Sequence, residues 1–491
     1  MDSNYKSISD LHTLLVEKKI SSVELTRYFL DRIKKYDASI NSFITISEEE
    51  ALRLAQKADE RLAKNNHVTA LTGIPIALKD LIITKGIRTT CASRILSSFI
   101  PPYNATVTEQ LITSGAVILG KLNMDEFAMG SSSENSFFGP VKNPWNVERS
   151  PGGSSGGSAA AVSAGLVSAA LGSDTGGSIR LPSAFCGVTG LKPTYGRVSR
   201  FGLVAFASSL DQLGPIGRSA HDCAIILEAI AGFDSHDSTS SNTPLPPYSQ
   251  YLNDSINGSN ITIGIPKEYT HQKGLHNEIA NALENTKNFF IKRGVKIKTI
   301  SLPYTDYAVS TYYILATAEA STNLARYDGI RYGLREEGKD LLDVYLNSRT
   351  RGFGDEVKRR IMLGTYVLSS GYYDAYYGKA CKVRRLITED FRRVFAECDV
   401  ILSPTSPTPA FKIGEHSHDP LAMYLTDIYT ISANLAGIPA ISFPVGFTKN
   451  NLPMGMQLMA KKFNETQLLQ LVHCYQKETD WHTRIPETCT K

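Results

Sequence analysis

Apolar and polar residues follow one another along this chain in two periods. In "SSVELTRYFLDRIKKYD", Leu25, Phe29 and Ile33 recur every four residues behind Ser21 and Glu24, which stand at capping-box spacing. That pattern predicts an amphipathic helix with a defined start. A second helix is expected over about 48–64, where Ala51, Ala55, Ala58 and Leu62 share one face. "LTGIPIALKD" is instead a short uninterrupted apolar run, the pattern of a buried strand that ends at Lys79 and Asp80. Further on, "ITIGIP" (261–266), a helical "NEIANALENTKNFFIKR" closed by Gly294, and "VKIKTI" give strand, helix and strand in order. This succession is an α/β signature. The segment from about 232 to 260 is rich in Ser, Asn, Asp and Pro without a period and is expected to be a surface excursion. No internal repeat interrupts the pattern.

Composition narrows the class. The chain has 491 residues, 42% of them hydrophobic and 20% charged, enough to bury a large core or two to three ordinary ones. Its net charge is only +4 and no basic run dominates, so the chain alone carries no nucleic-acid footprint. The seven cysteines form no C-x-x-C pair, which argues against a disulfide framework and against a zinc site. The first residues are polar, without a signal-peptide core, and no apolar run reaches membrane length. The expectation is a cytoplasmic protein with no membrane attachment.

The unusual stretch is "PGGSSGGSAAAVSAGLVSAALGSDTGGSIRLPSAF" (151–185), dense in glycine and serine. A flexible linker would not hold "AAAVSAGLVSAALG", which reads as an apolar small-residue helix of about three turns. A phosphate cradle needs a Walker lysine or the dinucleotide glycine spacing, and both are missing. Residues 153–157 satisfy G-x-S-x-G around Ser155, but "PWNVERSP" before them is no strand, so the nucleophile-elbow match is a decoy. A hydroxyl site on a tightly bent backbone is left, and it needs a base. The ten histidines (12, 67, 221, 236, 271, 276, 416, 418, 473 and 482) sit in polar or peripheral segments, and none suits a triad. A lysine serves if burial lowers its pKa toward neutrality, and Lys79 at the end of "GIPIAL" is the best placed. On the residues alone, Lys79 as a solvated strand-end charge stays open as well.

Five segments carry a resemblance: "TGIPIALKD", "GKLNMDEFAMGSSSENSFFGPVKNPWN", "SPGGSSGGSAAAVSAG", "ALGSDTGGSIRLPSAFCGVTGLKPTYGRVSRFGLVAFASSLDQLGP" and "NLAGIPAISFP". Together they resemble the amidase signature family over essentially the whole chain, and within it the branch that serves tRNA-dependent amidotransferases. The resemblance implies an α/β fold with a large mixed sheet covered by helices on both faces. It implies a single domain, 1–491, with N-terminal helices over about 1–65, the signature core over about 66–220, the excursion at about 232–260 and the remainder from 261. The buried "SAAAVSAGLVSAAL" helix is expected to pack on that sheet. The resemblance also implies a triad of Ser178 as nucleophile, Ser154, whose preceding peptide is cis, as proton relay, and Lys79 as base. Backbone N–H groups around Thr175, Gly176, Gly177 and Ser178 would form the oxyanion pocket. In the transamidase branch a Tyr, an Arg and an Asp hold glutamine, and local context matches them to Tyr312, Arg360 and Asp427. Arg359 and Tyr313 are their immediate neighbours in register. The implied activity is glutamine hydrolysis that supplies ammonia for amidating Glu-tRNA(Gln), or Asp-tRNA(Asn) as well. The implied partners, in a heterotrimer, are a large kinase-like B subunit, which binds the aminoacyl-tRNA and uses ATP and Mg²⁺, and a small C subunit. No cofactor or metal is expected in this chain. A stand-alone small-amide amidase and a scaffold without chemistry are the alternatives.

Overall fold

The computed structural model describes residues 5–270, 274–417 and 419–490. Among these, eleven strands join one sheet: β1 (Phe43–Ile46), β2 (Pro75–Lys79), β3 (Val117–Leu122), β4 (Ala169–Asp174), β5 (Thr189–Lys192), β6 (Gln212–Gly217), β7 (Thr262–Pro266), β8 (Lys296–Ile300), β9 (Val400–Pro404), β10 (Ala440–Phe447) and β11 (Pro453–Ala460). Their order across the sheet is β1-β3-β2-β4-β6-β5-β10-β11-β9-β7-β8. The sheet is mixed: β3, β2 and β4 run parallel, as do β9, β7 and β8, while the strands between them pair antiparallel. Every residue of β2 to β6 and of β11 is buried, so helices cover both faces, as uninterrupted apolar strands require. β8 is an edge strand with three of its five positions exposed. Strands from both sides of the 232–260 excursion belong to this sheet.

The elements read from the periodicity are found where it places them. Ser21 caps the Ser22–Ile40 helix through a capping box with Glu24, and Leu25, Phe29 and Ile33 are buried beneath it. The second helix spans Glu48–Lys64 and buries Ala51, Ala55 and Ala58. The Asn277–Ile291 helix bridges the parallel neighbours β7 and β8, and Gly294 turns the chain at φ +80°. One expectation is corrected. "AAAVSAGLVSAALG" is not one helix: the helix covers Gly156–Ser163 only, and Ala169–Asp174 is β4. Gly165 at φ +65° stops the helix, and the following small and apolar residues enter the sheet between β2 and β6. Small side chains suit either state, so tertiary position decided it. All seven cysteines are free. Among the described residues, no helix is long and apolar enough to cross a membrane. Of the ten histidines, His271 and His418 lie outside the described residues.

Candidate active site

β2 and β4 are parallel neighbours, so their C-terminal ends open on the same side of the sheet. Lys79 is the last residue of β2 and is fully buried. Its Nζ lies 2.7 Å from Ser154 Oγ, 2.9 Å from Ser155 Oγ and 2.9 Å from Ser173 Oγ. Burial lowers the Lys79 pKa to about 7, against the pull of the Asp125, Asp174 and Asp211 charges. Those carboxylates do not touch it; its contacts are three neutral hydroxyls. The buried amine can therefore be neutral near neutral pH, and the solvated-charge reading falls.

The serine-bearing turn is drawn in by its glycines. The Gly153–Ser154 peptide is cis. A Cβ on Gly153 would stand 2.2 Å from Asp125 Oδ2 and 2.7 Å from the Ser132 nitrogen, so only glycine permits this approach. Asp125 in turn accepts from the Ser133 and Asn135 amides at 2.9 and 3.2 Å, tying the "SSSEN" segment beneath the turn. The Ser155 hydroxyl donates to the Ser173 carbonyl and accepts from its amide, which stitches the turn to β4.

β4 ends at Asp174, and "TGGS" follows. Burial alone would raise the Asp174 carboxyl, but the Arg180 guanidinium, 3.1 Å away, holds it below the usual range. Arg180 also reaches Gln457, Asn434 and the Thr430 carbonyl. Thr175 Oγ1 donates to Asp211 at 2.7 Å. The three carbonyls of Gly176, Gly177 and Ser178 point into the scaffold, accepting from Thr430 Oγ1 (2.7 Å), the Leu181 amide (2.8 Å) and the Ser155 amide (3.1 Å). Among the described residues, the amides of Gly176, Gly177 and Ser178 donate to no protein acceptor. A loop whose carbonyls are all bonded away and whose N–H groups are free is built to hold an anion. Ser178 is 7% exposed in otherwise buried surroundings, and its hydroxyl makes no hydrogen bond to Ser154 in this structure.

Of the three residues matched by resemblance, Tyr312 and Asp427 stand against this loop, and Arg360 lies within electrostatic reach of both. Gly176 faces Tyr312: a Cβ there would meet ring atoms at 2.8–3.0 Å. Gly177 faces Asp427, whose Oδ1 would be 3.0 Å from an added Cβ. Asp427 is buried; its Oδ2 accepts from Ser131 Oγ at 2.5 Å, and among the described residues its Oδ1 has no partner. Burial raises its pKa to about 7, with the Ser131 hydrogen bond pulling the other way. Arg360 is 2% exposed, whereas the Arg359 side chain is 46% exposed and pairs with Glu356. Arg360 Nε donates to Glu356 at 2.8 Å, and its charge lies 5.3 Å from the Tyr313 ring and 5.6 Å from those of Phe206 and Tyr424. Its terminal nitrogens donate to no protein acceptor among the described residues. Tyr312 therefore lines the glycine loop, while its neighbour Tyr313 packs on the arginine. A 230 Å³ cavity opens beside Arg360, lined also by Gly130, Ser132, Glu134, Tyr424 and His416 among others.

Several residues of this constellation have no role that the motifs name: Ser155 and Ser173 on the lysine, Asp125 and Asp211 behind the loops, Ser131 on Asp427, and Thr430. All but Thr430 stand within the segments that carry the family resemblance. Thr430 lies some 250 residues from the loop that it touches, and no spacing rule could join the two.

The fold, with a buried lysine among serine hydroxyls, is that of the amidase class of enzymes. The chain belongs to the amidase family, whose model matches residues 24–469. The A subunit of glutamyl-tRNA(Gln) amidotransferase from Coxiella burnetii is 59% identical over 483 residues, covering 98% of this chain and 99% of that protein. Its namesake from Geotalea daltonii is 55% identical over 97% of this chain and 98% of its own length. Among solved structures, the A subunit of glutamyl-tRNA(Gln) amidotransferase from Thermotoga maritima matches with a TM-score of 0.81 at 42% identity, over 99% of this chain and 98% of that one. The peptide amidase of Stenotrophomonas maltophilia matches with a TM-score of 0.84 at 28% identity, over 98% of each chain.

Proposed function

We propose that this chain is the glutamine-hydrolysing subunit of a tRNA-dependent amidotransferase. The observation that carries the reading is the fully buried Lys79 amine on the Ser154 hydroxyl, beside a Ser178 loop with free amides and an unpaired Asp427 oxygen. Neutral Lys79 takes a proton from Ser154, which takes one from Ser178, and Ser178 Oγ attacks the side-chain amide carbon of glutamine. The relay needs a Ser154–Ser178 hydroxyl bond, which a turn of the Ser178 side chain toward Ser154 would supply. The oxyanion faces the Gly176, Gly177 and Ser178 amides, in a loop begun by Thr175. The proton returns through the relay to the leaving nitrogen, ammonia departs, and water hydrolyses the glutamyl ester by the same route. Arg360 takes the α-carboxylate on its free guanidinium edge, Asp427 Oδ1 takes the α-ammonium, and Tyr312 walls the side chain.

The partner B and C subunits complete the enzyme in this reading, with B binding aminoacyl-tRNA and using ATP and Mg²⁺; no cofactor works in this chain. The 59% identity to an amidotransferase A subunit supports this reading over a stand-alone amidase; the same fold is also that of a peptide amidase. The test uses the assembled complex. Ser178→Ala is expected to abolish amidation of Glu-tRNA(Gln) with glutamine as donor and to leave it intact with an ammonium salt. Undiminished glutamine-dependent activity would remove Ser178 from the mechanism, and failure with ammonium in an intact complex would show that the chain does more than release ammonia.

A further inference from the structure

The loop that would hold the oxyanion is fixed by its carbonyls, because each peptide is planar and a carbonyl held on one side aims the next N–H to the other. Two of the three carbonyl clamps are backbone amides, those of Leu181 and Ser155. The third is a side chain: Thr430 Oγ1 on the Gly176 carbonyl at 2.7 Å. The Gly176 carbonyl and the Gly177 N–H are one peptide unit, so this hydroxyl sets the direction of the Gly177 donor and polarises it. Thr430 is fully buried, and Gly177 makes room for it: a Cβ on Gly177, at φ +149°, would lie 2.2 Å from Thr430 Oγ1. The requirement for glycine at this position thus comes from Thr430 as much as from the backbone angle.

Thr430 is also three residues after Asp427. Its Oγ1 shares its hydrogen with the Asp427 carbonyl at 2.9 Å, and the amides of Thr430 and Ile431 bond that same carbonyl at 2.9 and 3.1 Å. One tight turn therefore carries both the carboxylate for the α-ammonium and the bolt for the oxyanion loop. We propose that Thr430 is a positioning residue that aims the Gly177 N–H at the developing oxyanion and couples it mechanically to the Asp427 turn. The role of the turn in reading glutamine rests on the function proposed above; the role of Thr430 in the oxyanion loop applies to any amide.

The test compares Thr430→Val, Thr430→Ala and Thr430→Ser with the parent chain in the full complex, on glutamine and on a small neutral amide. Weakening rather than deleting one oxyanion donor is expected to lower kcat about 10- to 100-fold for Val on both amides, with KM for glutamine within about threefold. Ser, which keeps the hydroxyl, is expected to restore kcat to within about threefold. A readout that mere destabilisation would not move is the affinity for glutamate γ-semialdehyde relative to glutamate. The aldehyde carbon gains a bond to Ser178 Oγ, its carbonyl oxygen becomes the oxyanion, and the serine proton passes to the Lys79 relay. Its affinity is expected to fall by the same factor as kcat, while that of glutamate stays put. This ratio decides the matter on Ala if Val does not fold. An unchanged aldehyde-to-glutamate ratio, a kcat within twofold of the parent, or a Ser variant as impaired as Val would each overturn the proposal. A parent chain that hydrolyses the neutral amide but not glutamine would refute the proposed function and leave the test of Thr430 on that amide intact.

Discussion

Lys79 makes the sharpest test of the buried-base reasoning, because its protonation is linked both to folding and to turnover. In the folded chain its pKa is lowered to about 7 by burial, while in the unfolded chain a lysine titrates near ~10.4. The group is thus protonated in the unfolded chain and neutral in the fold between those limits, so the unfolded state binds more protons and stability rises with pH. At pH 7 the linkage costs the fold about 4 kcal/mol, by pH 9 about 2 kcal/mol, and above the unfolded pKa nothing. Lys79→Met removes this term at every pH, together with the hydrogen bonds to Ser154, Ser155 and Ser173, which contribute about 1 kcal/mol each. The informative quantity is therefore not the sign of the stability change at one pH but its slope. Equilibrium urea unfolding of the two proteins at pH 7 and pH 9 is expected to show the parent gaining about 2 kcal/mol on the variant. On the catalytic side, kcat of the parent is expected to fall tenfold per pH unit below about 7, as neutral lysine is lost. Parallel stability curves, together with a flat kcat from pH 6 to 9, would show that Lys79 is not a depressed, buried base and would remove it from the relay.

Asp427, raised to about 7 by burial, must be ionised to bind an ammonium. With Lys79 it should give kcat/KM for glutamine a limiting pH slope near two on the acid side, against one for a neutral amide; Asp427→Asn should raise KM for glutamine alone and bring its slope to one. An equal loss on both amides would place Asp427 outside the recognition site. Arg360→Lys keeps the charge but loses the planar fork, so KM for glutamine should rise at least about tenfold with kcat little changed in steady-state assays. Gly177→Ala would place a methyl group 2.2 Å from Thr430 Oγ1 and should lower kcat at least about 100-fold in chain that still folds, as judged by circular dichroism. Arg180→Ala would strip the buried Asp174 of its ion pair and should cost about 3–5 kcal/mol in urea unfolding, a loss of fold rather than of recognition.

The local elements and the chemistry-bearing residues of this chain were legible along the sequence for definite reasons. Capping chemistry and a 3.6-residue period mark the Ser22–Ile40 and Glu48–Lys64 helices, because both act within a turn or two of backbone. The apolar run before Lys79 marks a strand buried on both faces. The identity of Lys79, Ser154 and Ser178 came from motifs whose residues lie within a few positions of one another. Where local preference is weak the reading failed: "AAAVSAGLVSAALG" suits helix and strand alike, and only its neighbours β2 and β6 made the second half a strand. Tertiary structure alone decided which of two adjacent residues faces the site. Arg360 turns inward and Arg359 outward because the Asp355–Val367 helix buries a single face, and Tyr312 meets Gly176 while Tyr313 meets the arginine. It also decided the lowered pKa of Lys79, which comes from its burial and not from the residue itself. Thr430 is the extreme case: its hydrogen bond to Gly176 spans 254 positions of chain, a distance over which the sequence carries no geometric information and the sheet carries all of it.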